Sequence, residues 1–189
     1  LPVHFQCVSS FNGLELIHQF KLTHSQFVSV GVSPFHVFIF DDVCLNYDDQ
    51  FKFNPPFRSI EQASKLTDAI KLGFIDHFTS LHVPCSGDYY AHSFFDSKFG
   101  TATMDYFLDI VSYAMIHADL DGRLFAKHLQ LSEALGFFST KGLALNQLAN
   151  FSVIRSTSDY KVNRQVLDCL NMQCKGGLVV SCKNGKLFN

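Results

Sequence analysis

An α+β fold is what the 189-residue sequence predicts, with a β-rich first half holding one or two helices and a helical second half closed by a β-hairpin. Three observations predict it. Short β-prone runs crowd the first forty residues, apolar residues take helical spacing from about residue 103 onward, and an Asn-Gly pair sits between two short apolar runs at the end. The change of character puts a division near residue 95, giving a β-rich subdomain over 1–95 and a helical one over 96–189.

Residues 3–8, "VHFQCV", alternate apolar and polar as a half-buried strand does. Asn12-Gly13 then reads as a turn, and "LELIHQFKL" as a strand pairing back. "FVSVGV" and residues 35–40 supply further strands, separated by Ser33-Pro34. A polar, aromatic-rich loop follows Asp41-Asp42 and ends at Asn54-Pro55-Pro56. Ser59 caps a helix in which Ile60, Ala63, Leu66 (or Thr67) and Ile70 share one face and Gly73 marks the stop. "FTSLHV" is another strand, broken at Pro84. From Thr103 to His117, Met104, Phe107, Leu108, Val111, Ala114 and Met115 keep helical spacing. Residues 119–122 turn the chain, and further helices are predicted in 123–138, 143–151 and from 158 onward through Val162, Val166, Leu167 and Leu170. "GLVVSCKNGKLF" closes as a hairpin, since Asn184-Gly185 suits a type I′ turn.

Composition narrows function. With 47% apolar and 17% charged residues the chain has a globular balance. A net charge of -2 gives no electrostatic footprint for nucleic acid. No apolar run reaches the ~20 residues that span a bilayer, and "LPVHFQCVSS" lacks the layout of a signal peptide, so a soluble piece is expected. The 21 Phe against no Trp read as coding bias plus core packing, since aromatic stripes are usually core. Cysteines at 7, 44, 85, 169, 174 and 182 form no CxxC pair, so zinc is weakly supported and reduced, buried thiols are expected. Asn150-Phe151-Ser152 is a glycosylation acceptor that matters only in a secretory lumen.

Several stretches invite a catalytic reading. In "FHVFIFDDVCLNY" an apolar run ends on Asp41 and Asp42, as a phosphatase nucleophile would, but Val43 stands where a second metal-binding Asp is needed. Cys44 would need a helix behind it to lower its pKa and a base such as His117 to activate it. A strand ending in solvated carboxylates is the stronger reading. Asp88, Asp96 and Lys98, preceded by His82, match a metal-dependent nuclease, in which two carboxylates hold the ion and Lys steadies developing charge. This is the alternative function. "CKGGLVV" has Cys174 separated from its glycines by Lys175, unlike a protease nucleophile loop. His77 in "HFTS" is half of a two-histidine phosphoesterase pattern whose other half is missing.

"VHFQCVSSFNGLELIHQF", "SPFHVFIFDD", "KGLALNQLANF" and "QVLDCLNMQCKGGLVVS", with "FDSKFGTATMDYFLDIV" at fitting spacing, together resemble the C-terminal Y region of coronavirus non-structural protein three. The resemblance implies a non-enzymatic module of a viral replicase polyprotein whose papain-like protease lies elsewhere. It implies a host-cytoplasm location on the cytosolic face of endoplasmic-reticulum-derived membranes, and partners among other replicase subunits and host proteins. It also implies that this piece begins after an upstream zinc cluster and stops before a final subdomain. No catalytic residue, cofactor or metal is carried over from it.

Overall fold

The computed structural model describes residues 1–24, 28–84, 93–117, 120–129, 145–146, 149–155 and 177–188. Its first part is a βαβ unit. Strand β1 (Val3–Phe5) leads into helix α1 (Phe11–His24), and β2 (Val28–Val32) returns parallel to β1, with Val3 opposite Val28 and Phe5 opposite Val30. Strand β3 (His77–Phe78) lies parallel on the other side of β2, so the sheet order is β1-β2-β3.

Helix α1 covers the run expected to be a returning strand. Leu14 is buried, and Phe11 and Ile17 pack beside it, so the same residues satisfy a helical period. Ser10 starts the helix: its hydroxyl accepts the Gly13 N–H at 3.3 Å and its carbonyl the Leu14 N–H at 3.2 Å. Asn12-Gly13 therefore sits in the first turn of a helix.

Residues 35–40 also depart from the expected strand. Pro34 holds an α conformation (φ -59°, ψ -21°), and Phe35–Phe38 form one helical turn, α2, before Ile39 becomes extended. Asp41–Asn46 then wind as a 3-10 helix ending at Tyr47, whose φ of 55° is left-handed. Helix α3 (Ile60–Lys71) buries Ala63, Leu66, Ala69 and Ile70, while Ile60 is left exposed and the Ser59 side chain makes no capping bond. Gly73 (φ +77°) ends it, with Gly73 N–H bonded to Ile70 O and Phe74 N–H to Ala69 O. No Cβ would be obstructed there, so backbone conformation alone favours glycine.

Helices α4 (Phe107–His117) and α5 (Gly122–His128) follow, the second capped by Asp121, which accepts the Arg123 N–H. An antiparallel sheet comprises β4 (Phe151–Arg155), β5 (Gly177–Lys183) and β6 (Lys186–Phe188). Asn184 (φ 51°) and Gly185 (φ 76°) form its β5–β6 turn, as the type I′ geometry requires. Of the predicted helices, the one over 123–138 holds α5 and lies beyond residue 129 outside the described residues, and the one from 158 onward lies outside them up to residue 176. The helix expected over 143–151 is not formed at its described residues, where 145–146 turn and Phe151 opens β4.

Two apolar clusters hold the first part together. One joins Val30, Val32 and Phe78 of the sheet to Leu14, Leu66, Ile70, Val111 and Phe125 from four helices. The second gathers Phe35, Ile39, Phe51, Phe53, Phe57, Leu81, Tyr106 and Ile110, with Phe35 edge-on to Tyr106 at 5.6 Å. Helix α4 reaches both clusters through Val111 and Ile110.

Candidate functional site

The sequence-predicted residues do not converge. Asp41 and Asp42 are exposed on the 3-10 helix. Burial, then the charges of Asp41 and Asp42, push the Cys44 thiol up, the opposite of what a nucleophile needs. Its Sγ faces Phe51 O at 3.8 Å, and the His117 side chain lies outside what the structure describes. Asp96 lies in a turn and Lys98 in irregular chain after it, neither on a strand, and Asp96 accepts the Ser93 hydroxyl at 2.6 Å. Asp88, Cys174 and Lys175 lie outside the described residues. Asn150 uses its side-chain oxygen to accept the Asn184 N–H at 2.8 Å.

His77 belongs to the sheet. Its ring stacks on His4 at 4.8 Å, and neither ring nitrogen meets a hydrogen-bonding partner among the described residues. Burial holds it neutral, lowering its pKa to about 4. The ring fits because β2 carries glycine opposite it: a Cβ on Gly31 would overlap the His77 imidazole and the Gln6 carbonyl.

A cleft of about 520 Å³ opens where β1 and β3 end. Gln6 and Cys7 form one wall, Thr79 to Val83 another, and Asn54 and Pro55 a third. In parallel α/β sheets ligands bind at the C-terminal ends of strands, because loops there present free backbone and side-chain polar groups around a rigid edge. A cavity of this size holds a small single-ring molecule.

Each wall is braced. His36 Nε2 donates to Pro55 O at 2.9 Å, and its Nδ1 faces Cys7 Sγ at 4.0 Å. Burial lowers the His36 pKa to about 4 and pushes the Cys7 thiol up to about 12, so the pair is neutral. On the opposite wall Leu81 is buried with φ 50°, a conformation costly for a non-glycine residue. It turns the chain so that Leu81 packs inward while the next residue, His82, lines the cleft. The segment 93–104 ties two walls together. Lys52 Nζ donates to the carbonyls of Phe94, Phe95 and Ser97 at 2.7, 3.1 and 2.6 Å. Farther along the segment, Thr103 Oγ1 donates to Ser80 O at 2.7 Å and Met104 N–H to His82 Nδ1 at 3.1 Å.

Among the residues lining this cleft, sequence reasoning named His82 only as a companion of the nuclease triplet, and passed over Gln6, Asn54 and Ser80. The missed signal was the βαβ unit itself, which makes β1 and β2 parallel and brings their C-terminal ends to one edge.

No protein-family model matches the chain. A dihydroorotase of Caldanaerobacter subterraneus is 21% identical over 164 residues, covering 86% of this chain and 38% of that protein. A probable dihydroorotase-like protein of Helicobacter pylori is 26% identical over 172 residues, 87% of this chain and 43% of its own length. The L-hydantoinase of Arthrobacter aurescens superposes with a TM-score of 0.82 at 19% identity, over 97% of this chain and 44% of that one. The structural likeness is one of fold, and the sequence likeness is to bacterial dihydroorotases at 21% and 26% identity. The chain spans about two fifths of the length of the curated relatives it matches.

The coronavirus resemblance is thereby overturned, because similarity to a bacterial dihydroorotase covers 86% of the chain. The stretches that carried the resemblance were apolar patterns, which many folds share. With it fall the non-enzymatic replicase module, the replicase and host partners, and the location on host membranes. The nuclease alternative is unsupported too, since neither Asp96 nor Lys98 lies on a strand. Cyclic amidohydrolases are metal-dependent, but among the described residues no three His, Cys, Asp or Glu side chains gather to hold an ion. Cys7, which as a ligand would have to be a thiolate, is held protonated. The described residues do not fit a metal centre.

Proposed function

We propose that the chain is part of a cyclic-amide hydrolase of the dihydroorotase and hydantoinase kind, and that its cleft receives the amide ring. One observation carries this: the cleft lies at the C-terminal edge of a parallel sheet in a chain that superposes over nearly its whole length on a hydantoinase. The chemistry of the walls supports it. A cyclic amide presents ring N–H donors beside carbonyl acceptors, and Asn54, Gln6 and Ser80 supply both kinds of partner. Rigid bracing by Lys52 and His36 keeps those partners placed before the ligand arrives, which lowers the ordering cost of binding. The described residues bind and orient the ring, and the groups that activate water are assigned to the rest of the protein.

The test is ring opening by the full-length protein, followed by chromatography with dihydroorotate and hydantoin as substrates. Ring opening of either, with KM raised in Asn54→Ala, is the expected result. Binding without ring opening would refute the hydrolase half, and no binding of either would refute the whole reading.

A further inference from the structure

We infer that His82 is a hydrogen-bond donor to the ligand, meeting one of its oxygens through Nε2–H, and is not a metal ligand. The inference rests on reading the cleft as a cyclic-amide site. It begins with the Met104 backbone N–H, which lies 3.1 Å from His82 Nδ1. A backbone amide nitrogen only donates, so Nδ1 must accept and carries no proton. The single proton of the neutral ring then sits on Nε2, and the tautomer follows from the hydrogen bond at the other nitrogen.

Ligating a metal through Nε2 would need the lone pair that this tautomer lacks. Moving the proton to Nδ1 would set two N–H groups against each other. His4 differs: its Nδ1 faces the Ser29 hydroxyl at 2.8 Å, and a hydroxyl donates or accepts, so the contact leaves the His4 tautomer open.

The backbone that carries the ring is also held. His82 N–H meets Ser80 Oγ at 3.4 Å, and Val83 N–H donates to Thr101 O at 3.1 Å. His82 is solvent-exposed and lines the cleft, so its donor is open to a ligand. An N–H donor in that position complements a ring carbonyl or an attached carboxylate, and disfavours a ring nitrogen that is itself a donor.

The experiment uses the full-length protein labelled with ¹⁵N-histidine. His82 is assigned by the signal missing in His82→Gln, and dihydroorotate is the probe. The expected spectrum shows an unprotonated Nδ1 and a protonated Nε2, unchanged by added zinc and shifted by dihydroorotate. His82→Leu should weaken dihydroorotate binding about tenfold or more, as loss of a hydrogen bond to a charged group does. His82→Gln, which keeps a terminal N–H, should stay within about threefold of the parent. An Nδ1–H tautomer, a zinc-bound Nε2, or equal losses in both variants would overturn the inference while dihydroorotate still binds. An Nε2–H ring in a protein that binds neither dihydroorotate nor hydantoin would overturn it through the cyclic-amide reading, and would place the failure there.

Discussion

Gly31 and His36 decide how close the strands and the cleft walls approach each other. A Cβ at Gly31 would enter the space of the buried His77 ring, and backbone on the far side leaves it no retreat. Gly31→Ala should therefore destabilise the protein by about 1–3 kcal/mol, the usual cost of overpacking, and lower its melting temperature. His36 is fully buried, donates to Pro55 O, and has its pKa lowered from 6.5 to about 4. Between those two values the unfolded chain binds a proton that the folded chain refuses. Stability is thus complete above pH 6.5 and falls as pH drops toward 4. His36 alone accounts for roughly 3 kcal/mol of that loss, at 1.36 kcal/mol per pKa unit. Melts between about pH 7.5 and about pH 4.5 check this, and His36→Gln should flatten the slope. His77, lowered in the same direction, keeps part of the slope in that variant.

At the scale of elements, "FHVFIFDD" shows what sequence could tell and what it could not. Its apolar residues were legible as core: Phe35 and Ile39 are buried in the second cluster. Its conformation was not legible, because a short apolar run fits a buried strand and a helical turn equally until the Pro34 backbone is known. Ile39→Ala should cost about 2–5 kcal/mol by emptying part of that cluster. Asp41→Ala and Asp42→Ala, both at exposed positions, should each stay within about 0.5 kcal/mol of the parent by thermal melting. Helix α1 was missed for a related reason: Asn12-Gly13, a pair that usually marks a hairpin, sits in its first turn. Segment 93–104 has its own test. Lys52→Met removes three bonds to backbone carbonyls, so amides 94–100 should exchange faster in mass-spectrometric hydrogen exchange.

For the whole molecule, taking "LELIHQFKL" for a strand turned a βαβ unit into a hairpin and hid the parallel sheet. An antiparallel pair alternates strand ends, whereas parallel strands bring every C-terminal end to one edge. The cleft was illegible for that reason, although Gln6, Asn54 and His82 are plain in the sequence. They meet only through folding: Gln6 follows β1, Asn54 stands before α3, and His82 comes after β3. The buried faces of α3 and α4 were readable in part because apolar spacing is local: Ala63, Leu66, Ile70, Val111 and Ala114 are buried as expected, whereas Ile60 and Met104 are exposed and the buried Ala69 and Ile110 went unnamed.

The central claim is that a cyclic amide binds at the C-terminal edge of β1 and β3. A crystal structure of the full-length protein soaked with dihydroorotate tests it most directly. The account predicts density for the ring between Gln6–Cys7 and Ser80–His82, within hydrogen-bonding distance of the Asn54 side chain and of His82 Nε2. Density for the ring at any other place on the protein, with this cleft holding only water, would contradict it.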